Sequence, residues 1–407
     1  MKKARIAGIT MAIALVVMTT AVQPAAANPG TRLESLYGFL VERYDDDGER
    51  GFTRIGQTIS RNEPTYSATI ALDALGYFDA RPPPFDLLKM KNFTQKLQWI
   101  RSLDETDDQY GSMADFIAGS YDIHSTFMGI QTWFLLSQQD EDIPGMEDVT
   151  MNLTATLVYV NKTYNEDGGF GRAEGEDSDL LSTYHAVSTM DAILEAISEE
   201  FPEQTWSVWL PNATATVEWI LKCREGNGFK ISPDSRVSGV TSTASALLAL
   251  DILDALPQIS DDIQDIADWI GSLQVEQATS MQYVGGWAEG VNTNDTNIMS
   301  TYYALLALDL LDAIDSQVNQ SIAVDFILDC QATDGSWGFT PEREVGNIAY
   351  VGRAIRSLEM LNQNLNQVLA VEDPNNPAPV LLDWRIVAVI AITVGAVVIA
   401  IVSVRMD

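Results

Sequence analysis

The two histidines of the chain are the residues whose type and position offer metal or proton chemistry. His124 and His185 are predicted to lie near the starts of neighbouring helices, close to Asp122 and Asp179. Imidazole nitrogens and carboxylate oxygens are ligands that zinc and other transition metals accept. A histidine at such a position is more commonly a hydrogen-bonded packing residue, so we predict no metal and no cofactor. The four residues remain candidate ligand-binding residues.

Acidic and aromatic side chains surround these positions in the loops that lead into the predicted helices. Trp287 and Trp337 stand at the preceding turns. The loop carboxylates are Asp115, Asp122, Asp177, Asp179, Asp234, Asp295, Glu342 and Glu344. Aromatic rings stack on sugars, and paired carboxylates act as acid and base in glycoside cleavage. Loops that share one face would form a mouth for a cation or a glycan; the alternative is a solvated acidic surface with structural aromatic residues.

These residues belong to six copies of one unit, which consists of a helix, a Gly-rich turn, a loop and a second helix. The turns are DDDGERGF (45–52), DDQYGSM (107–113), NEDGGFG (165–171), REGNGF (224–229), QYVGGW (282–287) and TDGSWGF (333–339). The second helices open with TYSA, TFMG, TYHA, TASA, TYYA and AYVG. One such unit cannot bury its apolar faces alone, so neighbouring copies must pack together.

One position near the start of each second helix, here called the anchor, is aromatic in five of the six repeats. The anchors are Tyr66, Phe127, Tyr184, Ala244, Tyr302 and Tyr350, and the residue two positions on is always alanine or glycine. We predict that the aromatic anchors pack between helix and loop, and that the small residues let neighbouring helices approach closely. Seven positions after the anchor, four of these helices carry an aspartate that we assign to an exposed lower rim, with a ring of lumen carboxylates as the alternative: Asp73, Asp191, Asp251 and Asp309.

Apolar residues recur at helical spacing in both helices of a pair. Residues 300–314 follow this spacing with Ser300 as the predicted N-cap, and residues 263–274 carry an apolar stripe with a polar reverse face. Six pairs favour a closed ring over an open solenoid. The sequence therefore predicts an all-α fold, in which six helix-pair repeats within residues 28–365 close into an α6/α6 toroid.

A motif in the last repeat adds a family resemblance. The run DFILDCQATDGSWGF (325–339) resembles the Q-x-x-x-G-x-W motif of the terpene cyclase and protein prenyltransferase β-subunit superfamily. Its three defining positions are Gln331, Gly335 and Trp337. The resemblance extends over residues 33–363, and it implies the single α6/α6 toroid of that family.

The catalytic signatures that the resemblance implies are not retained. It places the zinc ligands of the prenyltransferases on Thr241, Thr243 and near Ser300, which supply neither a thiolate nor an imidazole. The best match to the Asp-x-Asp-Asp acid of the cyclases begins at Asp179 and keeps only the first carboxylate. We therefore favour a toroid that is not an enzyme.

Both ends of the chain indicate export and a membrane anchor. Basic residues, an apolar run and an A-x-A site are typical of a signal peptide over residues 1–27. Residues 384–404 contain an uncharged apolar run long enough to span a bilayer as a transmembrane helix. Residues 366–383 are a predicted extracellular stalk and residues 405–407 a cytoplasmic tail. We expect a single-pass protein of the cell membrane with an extracellular toroid.

The net charge and the glycosylation sequons are compatible with an extracellular location. A net charge of −33 repels phosphates, which argues against nucleic acid as a partner. Six Asn-x-Ser/Thr sequons are candidate glycosylation sites: Asn92, Asn152, Asn161, Asn212, Asn294 and Asn319.

The two cysteines of the chain, Cys223 and Cys330, hold matching positions two repeats apart. That separation is too long for a disulfide, so we predict two buried free thiols.

Three functions agree with these features. The leading hypothesis is a non-catalytic cell-surface toroid that binds a lipid, an isoprenoid or a surface protein at the mouth of its lumen. The alternative is a glycan-cleaving toroid enzyme that uses the carboxylates of the mouth. The third is a divergent terpene cyclase or prenyltransferase. The partner predicted directly is the membrane, through the C-terminal helix.

Overall fold

The computed structural model describes residues 30–374, except residues 47, 49, 81–82, 101–105, 211, 278–282, 292, 294 and 342–344. The chain divides into two compact units. The larger one, Ser35–Leu369, contains the repeats. The smaller one combines Met1–Glu34 with Ala370–Asp407, and its described part includes an antiparallel bridge between Thr31 and Glu372.

The repeats form two concentric layers of helices, and each repeat contributes one helix to each layer. Among the described residues, the outer helices are α1 (Arg32–Arg43), α3 (Leu87–Leu97), α5 (Leu153–Lys162), α8 (Ala213–Lys222), α10 (Ile263–Ser272) and α13 (Gln320–Asp329). The inner helices are α2 (Asn62–Ala74), α4 (Ile123–Ser137), α6 (Leu180–Ile197), α9 (Val240–Ile252), α11 (Ile298–Leu310) and α14 (Ile348–Met360). Each inner helix contacts the next and α14 contacts α2, so the ring is closed and the predicted α/α toroid is confirmed.

Short elements fill the connections between these helices. The helical ones are α7 (Trp206–Trp209), α12 (Ile314–Gln317), α15 (Leu365–Val368) and the 3₁₀ helix Leu256–Asp262. The strands are β1 (Phe52–Thr53), β2 (Ser60–Arg61), β3 (Arg224–Glu225), β4 (Gly228–Lys230) and β5 (Ser238–Gly239). β1 pairs with β2, and β3, β4 and β5 form a three-stranded sheet, all antiparallel. The connections therefore add short strands that the all-α prediction did not include.

A threonine near the start of the inner helix ties the turn to that helix in five repeats. Thr65 Oγ1 accepts a hydrogen bond from the backbone N–H of Phe52 (2.9 Å) and donates one to the carbonyl oxygen of Arg61 (2.7 Å). The equivalent bond to the turn is made by Thr126, Thr183, Thr243 and Thr301. The turn residue that donates is buried in each case. Since an unpaired buried N–H costs about 1–3 kcal/mol, this threonine fixes the turn against the helix.

The sixth repeat has a different register from the one predicted. In the first five repeats the anchor is the fifth residue of the inner helix, and the fifth residue of α14 is Gly352. Tyr350 was therefore the wrong anchor, and its ring instead contacts Phe339 at a centroid distance of 5.7 Å. The error arose because Val351 stands where the other repeats have the threonine. The small residue two positions on becomes Ala354, which is fully buried.

The turn glycines let each repeat pack its backbone against the following outer helix. A Cβ added to Gly111 would lie 1.8 Å from the carbonyl oxygen of Ala155, and one added to Gly285 would lie 1.9 Å from that of Ile322. Gly335 makes the same contact across the junction of the ring, where its added Cβ would lie 2.1 Å from the carbonyl oxygen of Ser35 in α1. Only glycine fits at this spacing, particularly with positive φ.

The inner layer is closed by a serine between α2 and α14. Ser67 Oγ donates a hydrogen bond to the carbonyl oxygen of Ile348 (2.6 Å) and accepts one from the backbone N–H of Gly352 (2.8 Å). A Cβ on Gly352 would lie 2.5 Å from the carbonyl oxygen of Ser67. The last repeat therefore joins the first through direct backbone contact.

Two sequence predictions about element boundaries were wrong. The N-cap of α11 is Asn297, whose side chain accepts from the backbone N–H of Ser300, because the helix begins three residues earlier than an N-cap at Ser300 would place it. The stalk does not begin at residue 366, since α15 continues to Val368 and Leu369 is fully buried. Both differences arise because apolar side chains extend the packed unit beyond the boundaries predicted.

The predicted membrane segment lies outside the described residues, as do residues 1–27, 375–383 and 405–407. Within the described part of the chain, no helix has the length and apolar character needed to cross a bilayer.

The predicted free thiols are confirmed. Cys223 and Cys330 are unpaired and buried, each at the C-terminal end of an outer helix. Burial raises the pKa of the Cys223 thiol to about 12 and raises the pKa of the Cys330 thiol well above its ordinary value, so both side chains act as small apolar residues.

Replacement of one closing glycine tests the ring. We expect Gly352→Ala to lower the free energy of unfolding by about 1–3 kcal/mol, because its methyl group would overlap the backbone of α2. The measurement is urea unfolding followed by circular dichroism. The matched control is Gly38→Ala in α1, where an added Cβ meets nothing within 4 Å and helix propensity should raise stability by about 0.5–1 kcal/mol. Equal effects of the two changes would contradict the closure contact.

Candidate functional site

Five of the inner helices, α2, α4, α6, α11 and α14, line a cavity, here called the lumen, that encloses about 210 Å³. Most of the residues that line it are apolar or aromatic. The lining consists of Glu63, Tyr66, Ile70, His124, Phe127, Met128, Leu181, Tyr184, His185, Met299, Tyr302, Tyr303, Leu306, Gly352 and Arg353. A cavity that is largely apolar and has a few polar groups is the usual form of a small-molecule site.

The aromatic anchors line the lumen rather than packing between helix and loop as predicted. The rings of Tyr66 and Phe127 meet edge to face at 6.0 Å, and Phe127 and Tyr184 are 5.8 Å apart. On the opposite side, Tyr302 and Tyr303 are 5.3 Å apart. The fifth residue of α2, α4, α6, α11 and α14 faces the lumen, whereas Ala244, the fifth residue of α9, is not among the lining residues. Gly352 leaves open space at this level of the lumen, where four other repeats place rings.

The two histidines come together on one wall of the lumen. Their ring centroids are 4.7 Å apart with the planes perpendicular, and His185 stacks on Phe127 at 4.2 Å. Ser182 Oγ donates to Asp179 (2.6 Å), so Nε2 of His124 donates to Ser182 (3.2 Å). Nδ1 of His185 is buried and has no hydrogen-bond partner among the described residues.

Burial governs the protonation of this pair. It lowers the pKa of His185 well below its ordinary value, and His124 and Arg353 lower it further. Burial also lowers the pKa of His124, although Asp122 opposes that effect. Both imidazoles are therefore neutral near pH 7, when each ring has one nitrogen that donates and one that accepts.

Asp122 and Asp179 serve as helix caps and do not line the lumen. Asp122 accepts from the backbone N–H of Ser125 (2.6 Å) and from Arg172 (2.6 and 2.8 Å). Burial opposes ionisation of Asp122, but these hydrogen bonds and the Arg172 charge lower its pKa overall. Asp179 caps α6 by accepting from Ser182. The described residues contain no group of three His, Cys, Asp or Glu side chains that could hold a metal ion.

Trp287 and Trp337 were wrongly assigned to the lumen mouth. Both side chains are fully buried between the helix layers, and their indole N–H groups donate to the carbonyl oxygens of Ile270 (2.9 Å) and Ile327 (2.8 Å) in the outer helices. Gln331 Nε2 donates to the carbonyl oxygen of Gly335 (3.3 Å), so the motif holds the turn together. Its residues have a structural role because their polar atoms bond to the backbone.

The charges around the lumen disfavour anions. Among the described residues that line it, Arg353 is the only one with a fixed positive charge, and its guanidinium donates to the carbonyl oxygen of Ala349 (2.6 Å). With the corrected register, a carboxylate stands twelfth in five inner helices: Asp73, Asp191, Asp251, Asp309 and Glu359. Burial raises the pKa of Asp73, and the neighbouring charge of Glu359 raises it further. The lower rim is therefore acidic. The predicted exposure holds for Asp251 and Asp309, whereas Asp73, Asp191 and Glu359 are half-buried.

Several lumen residues were missed from the sequence. Tyr303 and Arg353 follow the anchor position directly, as His185 does, and Met299 stands three positions before it. The missed signal was the helical period itself: residues two, five, six and nine of an inner helix share the face toward the axis. Burial raises the pKa of Tyr303 to about 12, so its hydroxyl stays protonated.

The family of the chain is shown by comparison with known proteins. Residues 13–212 and 193–386 match the prenyltransferase alpha-alpha toroid domain. The chain therefore belongs to the prenyltransferase α/α-toroid family. It is also similar to the β subunit of geranylgeranyl transferase type 2 from Saccharomyces cerevisiae, with 24% identity over 59% of this chain and 66% of that protein.

Solved structures agree with the fold. The chain is similar to protein geranylgeranyltransferase-I from Candida albicans, solved in complex with GGPP, with a TM-score of 0.55 and 15% identity over 77% of this chain and 89% of that one. It is also similar to a wild-type glycosidase, with a TM-score of 0.53 and 10% identity over 81% of this chain and 97% of that one. At these identities the likeness concerns the toroid alone.

The depressed pKa of His185 predicts a pH dependence of stability. In the unfolded chain the imidazole of His185 binds a proton below about pH 6.5, whereas in the folded chain it stays neutral. The free energy of unfolding of the wild type should therefore fall relative to that of His185→Phe as the pH decreases. The expected slope is up to about 1.4 kcal/mol per pH unit. Urea unfolding of both proteins between pH 5 and 7.5 measures it. A stability difference that stays constant across this range would show that His185 titrates normally.

Proposed function

We propose that this protein is a non-catalytic toroid that binds a small, largely apolar molecule, of isoprenoid or similar character, in its lumen. The observation that carries the proposal is the aromatic cavity itself, which is lined by residues of five inner helices, with four polar or charged side chains besides the tyrosines. Burial of a ligand against these rings would contribute about 25 cal/mol per Å² of apolar surface.

Prenyl transfer and glycan cleavage have less support from the same cavity. The two thiols of the chain lie buried at the ends of outer helices, away from the lumen lining. Among the described lining residues Glu63 is the only carboxylate, and it is paired with Arg54 (2.8 Å). Retaining and inverting glycosidases use two carboxylates across the scissile bond.

We further propose that the toroid is displayed at the cell surface. The support is in the sequence, namely the signal-like residues 1–27 and the apolar run within residues 384–404. The surface location would present the lumen and its acidic rim to extracellular ligands or to a surface partner protein.

A probe that fills the lumen tests the binding function. We expect the wild-type protein to bind naphthalene, measured by quenching of the probe's fluorescence, because a dry apolar cavity of about 150 Å³ already holds benzene. Leu306→Trp should weaken binding by about tenfold or more, since a larger side chain would occupy the cavity. The control is Val208→Trp on α7, an exposed position outside the lumen. Equal binding by the two variants, or none by the wild type, would contradict the proposal.

The sequons provide a test of export. Asn152 and Asn212 are exposed and use Oδ1 for capping, so within the described residues the amide nitrogen is uncommitted; Asn319 is also exposed. By contrast, Nδ2 of Asn92 donates to Leu88 (3.0 Å) and that of Asn161 to Trp209 (2.8 Å).

We therefore expect glycans on Asn152, Asn212 and Asn319 and none on Asn92 or Asn161. Asn294 lies outside the described residues. The measurement is site-resolved mass spectrometry of protein from a glycosylating, secreting host. Absence of glycan at all sequons would contradict export, whereas occupancy of Asn161 in a folded protein would contradict the hydrogen-bond assignment.

A further inference from the structure

We infer that the lumen selects an uncharged ligand that carries a primary carboxamide at the mouth end of an apolar body. The mouth is the end of the lumen at which the inner helices begin. This inference rests on the proposed lumen-binding function and adds the chemical class of the ligand. What carries it is a polar wall of three side chains, Glu63, His124 and Arg353, which offers two hydrogen-bond acceptors beside several donors.

The three side chains of the polar wall belong to consecutive inner helices. In the ring α14 packs against α2 and α2 against α4, and these helices contribute Arg353, Glu63 and His124 to the lumen lining. Glu63 and His124 are each the second residue of their helix. The guanidinium of Arg353 bends back toward that level, because it donates to the carbonyl oxygen of Ala349, the second residue of α14 (2.6 Å). All three functional groups therefore lie toward the mouth.

His124 presents a hydrogen-bond acceptor to the lumen. Ser182 Oγ donates to Asp179 (2.6 Å), so the contact of Ser182 with Nε2 of His124 (3.2 Å) uses the N–H of the ring. Burial lowers the pKa of His124, and a neutral imidazole whose Nε2 donates has Nδ1 as its acceptor. Nδ1 of His124 keeps accessible surface and no described residue bonds to it, whereas Nδ1 of His185 is sealed from the lumen.

Glu63 supplies a second acceptor, and Arg353 supplies the donors. Arg54 donates to Oε2 of Glu63 (2.8 Å), which leaves Oε1 without a partner among the described residues. A guanidinium has five N–H groups. Arg353 directs its N–H groups to the carbonyl oxygen of Ala349 and the hydroxyl of Tyr303, and the others are available to a ligand acceptor.

Charges of both signs at one end of the lumen select a neutral head group. An anion would meet the carboxylate of Glu63, and a cation would meet the guanidinium of Arg353. Burial of a net charge costs more than burial of a neutral polar group that gains hydrogen bonds. The tyrosine hydroxyls of the lining can rotate to donate or to accept, so they do not favour either kind of ligand group.

The number of donors and acceptors distinguishes a carboxamide from other neutral head groups. The NH₂ group of a primary amide can donate to both acceptors, and its carbonyl oxygen can accept from the guanidinium of Arg353. A hydroxyl has one hydrogen and can satisfy only one of the two acceptors. A ketone or an ester satisfies neither, because it has no hydrogen to donate.

The remainder of the lumen suits an apolar body. Ile70 and Leu306, each the ninth residue of its helix, line the deeper part, and Leu181 and Met299 face the lumen from the other wall. The lumen encloses about 210 Å³, and a dry cavity of about 150 Å³ accepts benzene. A bicyclic aromatic compound with one small head group therefore matches its size.

Three probes separate the contributions of the head group. 2-Naphthamide carries the whole carboxamide, 2-acetylnaphthalene has a methyl group in place of the NH₂ group, and naphthalene has no head group. We expect the wild-type protein to bind the amide about tenfold more tightly than the ketone, and the ketone about tenfold more tightly than naphthalene. Each step is equivalent to about 1.4 kcal/mol, the size of one or two hydrogen bonds.

Two variants assign these preferences to their residues. His124→Phe keeps a ring but removes an acceptor, so it should lower the preference for amide over ketone about fivefold and leave the preference for ketone over naphthalene unchanged. Arg353→Met should do the reverse, since it removes the donor to the carbonyl oxygen. The matched control is Arg356→Met, a change of the same kind on α14 outside the lumen lining, which should change neither preference.

The outcomes separate the carboxamide from the proposed function. If naphthalene binds but either wild-type preference is below twofold, the carboxamide assignment is overturned and lumen binding stands. Preferences that neither His124→Phe nor Arg353→Met changes would also overturn the assignment. Failure of the wild type to bind any of the three probes would overturn the proposed function itself.

Nitrogen NMR of the wild-type protein gives a second readout that needs no folded variant. The chain has two histidines, so the imidazole ¹⁵N spectrum is simple. We expect 2-naphthamide to shift the Nδ1 resonance of His124 by several parts per million, because that nitrogen accepts a hydrogen bond from the amide. 2-Acetylnaphthalene should leave this resonance nearly unchanged. Identical shifts from the two probes would contradict the assigned hydrogen bond.

Discussion

The close approach of backbone across the junction of the sixth and first repeats is the contact on which the lumen depends. A row of helix pairs has two unsatisfied ends, and here each end covers the other. Gly335 admits the carbonyl oxygen of Ser35 in the outer layer, and Gly352 admits Ser67 in the inner layer. Because a side chain at either glycine would push the sixth repeat away from the first, closure requires glycine at both positions.

Closure gives the inner helices a common axis, and the sequence then determines what faces it. Four anchors have aromatic rings, whereas the equivalent positions in the other two repeats are the small residues Ala244 and Gly352, which leave space near the axis. The resulting cavity is apolar in the middle and acidic at the lower rim. Neutral imidazoles and a protonated Tyr303 provide hydrogen-bonding groups without adding charge, which suits recognition of an uncharged molecule.

The repeat architecture could be predicted from the sequence because its determinants are local. Turn glycines, N-caps and helical apolar spacing each act within a few residues, and they recur six times in the chain. The prediction that both thiols are buried and unpaired followed from the same repeat symmetry. The sixth register could not be predicted correctly, because Val351 replaces the threonine that marks the other inner helices.

The site itself was only partly predictable. The histidines were found because their residue type is rare in this chain, but their aspartate neighbours proved to be helix caps. The sequence pattern of a tryptophan at a turn is the same whether its side chain faces the mouth of the lumen or lies between the two helix layers. The decisive information was that each indole N–H meets an outer-helix carbonyl, a contact between distant parts of a repeat. Tyr303 and Arg353 could be recognised as lumen residues only once the position of the ring axis was known.

Native mass spectrometry of residues 28–380, expressed without the predicted anchor in a secreting host, tests lumen binding most directly. Comparison with the denatured mass reports any molecule that the folded toroid retains. We expect a retained neutral compound whose mass fits a cavity of about 210 Å³, released on denaturation. A folded protein with the bare polypeptide mass, which also fails to retain added naphthalene, would contradict a ligand-binding lumen and favour a scaffold for protein partners.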